Sequence, residues 1–205
     1  SVCSVKVLRL IPPGTVHIHA RSAKSSQALA LSLLGSACQN DPSMQWLWRA
    51  LHLPGSPILP FPEFSFERSL SPDDLDESPH TTQLDFAVSD SSTFIALEAK
   101  WTESGLDTCS CLRNREGSHK SGGHCPERVF SRTRYWEVAR DFLRLPEERL
   151  PLFPCQIAPI YQVIRNIAAA SHLAGPNRQF GFVLLHDANN PFFTATNRWP
   201  GWPEM

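Results

Sequence analysis

The sequence contains no run of about 20 consecutive apolar residues, the length a helix needs to cross a bilayer, so no membrane span is expected. Its opening stretch, SVCSVKVLRL, lacks the continuous apolar core and small-residue cleavage site of a signal peptide. Cysteine is sparse: six in 205 residues cannot supply the dense cross-links of a small disulfide scaffold. These absences together point to a chain of the reducing cytoplasm. No internal repeat occurs, and there is no glycine-rich phosphate loop, nucleophile elbow or HExxH pair. NTPase, serine-hydrolase and zinc-protease chemistries therefore have no support.

A strong charge of one sign is also missing, the formal net charge being -1. Its distribution is more informative. From Glu63 to Asp107 eleven acidic residues face two basic ones, Arg68 and Lys100, whereas from Leu112 to Arg134 six basic residues face two acidic ones. An acidic block beside a basic block suits a protein that holds cations next to phosphates, although two solvated surfaces of opposite sign explain it equally simply. The apolar fraction of 41% and charged fraction of 19% are those of an ordinary globular protein, and 205 residues suffice for one sizeable core.

Helical spacing of Ala28, Leu31, Leu34 and Ala37 in KSSQALALSLLGSACQ predicts a helix over about Ala23 to Gln39, with a nearby serine as cap. A second, short helix is expected after Asp41-Pro42, on Trp46, Leu47, Ala50 and Leu51. The proline-rich GSPILPFPEF cannot be an interior strand throughout, and FSFERSL (Phe64 to Leu70) resumes as a strand. Beyond the polar SPDDLDESPH, two strands, Gln83 to Val88 and Thr93 to Trp101, flank the turn SDSS and form a hairpin. From Ser104 to Arg132 the chain is an irregular insertion rich in Gly, Ser, Cys and charge. Helices return over Arg134 to Arg144 and Ile157 to Leu173, and Gly181 to Ala188 reads as a late buried strand. This order gives a single α/β domain over residues 1–205, a mixed central sheet flanked by helices, with the insertion at about 104–132.

The strand TFIALEAKW is apolar except for Glu98 and Lys100, and buried charges need a reason. Side chains two apart on a strand share a face, so Glu98 and Lys100 project together, and Asp85 on the partner strand can approach Glu98. Two converging carboxylates make an oxygen site for Mg2+ or Mn2+, with the Ala99 carbonyl as a further donor. Lys100 can then orient a water against a phosphate. The structural alternative is a cross-strand ion pair with no chemistry.

TTQLDFAVSDSSTFIALEAKWTES resembles the central hairpin of the PD-(D/E)XK, or restriction-endonuclease-like, nucleases. SSQALALSLLG, SFERSL, TQLDFAV, EAKWTES and YQVIRNIAAA further resemble, in order, the motifs of a bacterial group with this fold, over about Ser25 to Ala170. The resemblance implies an α-β-β-β-α-β core and hydrolysis of nucleic acid, DNA above all, by metal-activated water. It implies a metal held by Asp85 and Glu98, with Lys100 adjacent. It adds Glu67, where related nucleases carry an extra carboxylate, and Gln27, Gln162 and Arg165 as polar residues that support the site or touch phosphate. Each of these four reads equally as a solvated surface side chain. A catalytically silent member that binds nucleic acid or protein through the same fold would carry the same residues.

Cys109, Cys111, Cys125 and Cys155 form a separate set. Four thiolates suit a structural Zn2+, or less readily an iron–sulfur cluster, that would order a loop too polar to bury itself. On that basis a zinc-stapled interaction module is the remaining alternative. His119 and His124 are substitute ligands, the basic residues Arg113 to Arg134 with Tyr135 and Trp136 suit a phosphate backbone, and His17 and His19 alternate on a predicted strand.

Overall fold

The computed structural model describes residues 11–14, 25–50, 62–71, 73–75, 81–103, 105–106, 135, 137, 141–142 and 160–194. The predicted TVHIHA strand, nearly all of the insertion and the four cysteines of the proposed staple lie outside these residues, as does most of the Arg134 to Arg144 helix, of which Tyr135, Glu137 and Asp141 are helical.

Ser25 caps the first helix, its Oγ accepting the Ala28 amide at 3.2 Å and so satisfying one of the donors a helix start leaves unpaired. The helical segment runs as α1 (Ser26–Ala30), a π turn (Leu31–Gly35) and α2 (Ser36–Asn40). Gln27, Ala30, Leu31, Leu34 and Cys38 are buried, whereas Ala28 and Ala37, expected to face the core, are only half-buried. Asp41 ends the segment and accepts the Ser43 amide, and α3 (Gln45–Ala50) follows as expected.

Among the described residues four strands form one sheet in the order β1 (Glu63–Ser69), β2 (Gln83–Ser89), β3 (Thr93–Lys100) and β4 (Gln179–His186). The first three pair antiparallel, and β3 with β4 is parallel. A parallel neighbour needs a crossover connection, and α4 (Tyr161–Ala174) lies within it; α5 (Pro191–Thr194) is the last described element. The β2–β3 turn is shaped by Asp90, whose Oδ1 accepts the amides of Ser92 and Thr93, each at 2.7 Å.

Alternation along the strands separates two cores. Leu84, Ala87, Phe94 and Ala96 pack with Ile160, Ile164, Ile167 and Ala168 on one face, while Phe66, Phe86, Val88, Ile95, Leu97 and Ala99 pack with Ala30, Leu31, Leu34 and Cys38 on the other. Covered on both faces, β3 has all eight residues buried, Glu98 and Lys100 included. In contrast, β4 is half-buried along its length rather than fully buried as expected, because it is an outer strand of the described sheet.

Candidate active site

The strand register sets the site. β1 pairs with β2 through Phe66↔Phe86 and Arg68↔Leu84, but Glu67 and Asp85 between them are skipped. The β2–β3 ladder ends at Phe86↔Leu97, so Asp85 and Glu98 are the next residues in line. Three carboxylates thus lie abreast on neighbouring strands where the ladder is interrupted. The backbone marks the same place: Glu67 has φ 51, a left-handed conformation rarely adopted in a strand by a residue with a side chain. The Ala99 amide, freed from β2, donates to Asp85 Oδ2 at 2.8 Å, so a side chain closes the gap in the ladder.

Glu98 is the most heavily bonded of the three. Its Oε1 accepts from Gln162 Nε2 at 2.6 Å and lies 3.0 Å from Lys100 Nζ, and its Oε2 accepts from Asn166 Nδ2 at 2.7 Å. Glu98 and Lys100 are both buried, and such a pair persists only when its remaining atoms are also bonded. On the other side, Gln27 in the first turn of α1 hydrogen-bonds Glu67. The first turns of α1 and α4 therefore reach the broken ladder from opposite faces of the sheet.

Arg165 lies on the same helix as Gln162 and bonds the residues before β2. Its Nε donates to Thr82 Oγ1 and its Nη2 to the Thr81 carbonyl, both at 3.2 Å, so it secures the residues leading into β2. The residue that shares the Glu98-facing side of α4 with Gln162 is Asn166, one full turn on. Sequence reading missed it, because its place depends on which turn of α4 faces β3. The loop after β3 is tied to the loop after β4 by Asn190, whose Nδ2 donates to the carbonyls of Trp101 and Glu103. Glu103 accepts the Trp101 amide at 2.6 Å.

Electrostatics follow from this packing. Burial raises the Asp85 carboxyl to about 6, with Glu67 adding to the rise and the Ala99 amide and Lys100 opposing it. Glu98 is raised to about 7 by burial and by the Asp85 charge, against Lys100 and the Asn166 bond. Burial also raises Glu67, offset by its bond to Gln27. Carboxylates that repel one another in a desolvated corner are stabilised by a cation. The donors are hard oxygens, as Mg2+ requires, and Gln162 Oε1 is a buried acceptor with no donor among the described residues, a place a metal's water fits. Among the described residues no three His, Cys, Asp or Glu side chains converge to ligate one ion. A site of two carboxylates completed by water is the kind that Mg2+ takes.

A mixed four-stranded sheet with helices packed on both faces fits a restriction-endonuclease-like fold. Residues 10–200 match the family described as Restriction Endonuclease associating with ARP (REase-ARP), and the chain belongs to that family. No curated protein and no solved structure matches the chain. Family membership makes DNA the expected substrate and its cleavage the expected activity. Among the described residues no helix is long and apolar enough to cross a membrane.

Proposed function

We propose that the chain is a divalent-metal-dependent DNA nuclease in which Asp85 and Glu98 hold the ion and Lys100 orients the attacking water. The observation that carries this reading is the meeting of Asp85, Glu98 and Lys100 where the β2–β3 ladder ends. Mg2+ or Mn2+, when bound, acidifies water and offsets phosphate charge. The protein's own groups do the rest. The Ala99 amide aims Asp85, and Lys100, held 3.0 Å from Glu98, faces the charge that grows on the phosphate. Gln162 is bonded to Glu98 through its nitrogen and offers its free oxygen to a water. Glu67, steadied by Gln27, adds a third carboxylate beside Asp85, and Arg165 secures the approach to β2.

Purified protein should cut DNA with Mg2+ or Mn2+ and stop on addition of EDTA. Binding of DNA without cleavage of any DNA or RNA under either ion would select the silent-member reading instead. Cys109, Cys111, Cys125 and Cys155 enter the proposal as a structural zinc set on their sequence alone, with an iron–sulfur cluster as the alternative.

A further inference from the structure

Eight residues of α4 are buried, and Asn166 is the sole polar member of that set. At 2% exposure it sits among Val163, Ile167 and Ala170, where an apolar side chain of equal size would avoid the cost of burying an amide. Its Nδ2 donates to Glu98 Oε2 at 2.7 Å, the length of a charge-assisted bond. The two other donors to Glu98, Gln162 Nε2 and Lys100 Nζ, both act on Oε1. Held at one oxygen, a carboxylate still pivots about that point. A third contact at the opposite oxygen removes the pivot.

We propose that Asn166 is a positioning residue for the metal: it fixes the plane of the Glu98 carboxylate so that Glu98 and Asp85 present their oxygens to one ion. This rests on the reading that Asp85 and Glu98 form the ion site. The amide of Asn166 touches neither substrate nor ion and acts through Glu98, as the outer partners of metal ligands generally do.

The test is Mn2+ binding by calorimetry without DNA, on wild type, Asn166→Leu, Asn166→Ser and Asp85→Asn. Leucine keeps the volume of the buried side chain and removes its donor, and serine serves if leucine fails to fold. Mn2+ affinity should fall about 10–100-fold in either folded variant, the usual loss when the partner of a metal ligand is removed. DNA binding in EDTA should be unchanged, and high Mn2+ should recover cleavage in part, which a mere loss of packing would not allow. Wild-type Mn2+ affinity in a folded Asn166 variant, with Asp85→Asn binding none, overturns this inference alone. Unaltered binding by Asp85→Asn overturns the ion site itself, and the inference with it.

Discussion

Asp85 and Glu98 meet across a hairpin that leaves them too little water to share two negative charges comfortably. Their raised pKa values, about 6 and about 7, set a condition on ion binding, because a carboxylate must lose its proton to bind metal. Mn2+ affinity should therefore fall as pH drops through 7 toward 6, and more steeply than one titrating group allows. Calorimetry across that range checks this, and a flat profile would mean that the pair does not hold the ion. Lys100 belongs to the same scale. Lys100→Ala should lower turnover by roughly 10²–10⁴-fold while DNA affinity barely moves, since one lysine adds little to total phosphate attraction. Equal losses in rate and affinity would make it only an anchor. Residues at this scale were unevenly legible. Asp85, Glu98 and Lys100 stood out because charge interrupts apolar strands. Asn166 did not, since its role depends on which turn of α4 faces β3. Gln162 and Arg165 are expected as site support, but their separate partners, Glu98 for one and Thr81 and Thr82 for the other, were not readable.

β1 carries a cost at Glu67. A residue with a side chain at φ 51 within a strand is strained by about 1–3 kcal/mol, and here the strain coincides with the gap in the ladder. Glycine adopts this conformation freely. Glu67→Gly should thus melt no lower than wild type, yet lose activity because the third carboxylate is gone. A large drop in melting temperature would show that the Glu67–Gln27 bond, not the site, explains the conformation. The strands were readable to within a residue or two because period-two alternation and the SDSS turn survive in the chain. The π turn at Leu31–Gly35 and the exposure of β4 were not, since both depend on what packs against the element. The cysteine proposal belongs to the insertion together with Cys155 beyond it. Freshly isolated, reduced protein should contain about one equivalent of zinc, or else an iron–sulfur chromophore. Elemental analysis finding neither metal would return Cys109, Cys111, Cys125 and Cys155 to ordinary thiols and leave the hairpin site untouched.

For the whole molecule, the two cores on opposite faces of the sheet hold the carboxylate row at considerable electrostatic cost. The folded state binds protons on Asp85 and Glu98 more tightly than the unfolded chain, whose values are near 3.8 and 4.5. Stability contributed by this pair is therefore present at low pH and is lost as pH rises through the raised values. Metal-free protein should lose melting temperature from this source between pH 5 and pH 8, Glu98→Gln should flatten the trend, and Mg2+ should recover stability at pH 8. The order of helices, hairpin, helix and strand was legible from the sequence, and membership of REase-ARP over residues 10–200 agrees with it. Whether Asp85 and Glu98 form the cleavage centre is decided by comparing wild type with Asp85→Asn and Glu98→Gln in one Mg2+-dependent DNA cleavage assay. Folding is verified by circular dichroism and DNA binding is measured in EDTA. Both variants should bind DNA as wild type does and cut none of it, whereas undiminished cleavage by either one would rule out this pair as the cleavage centre.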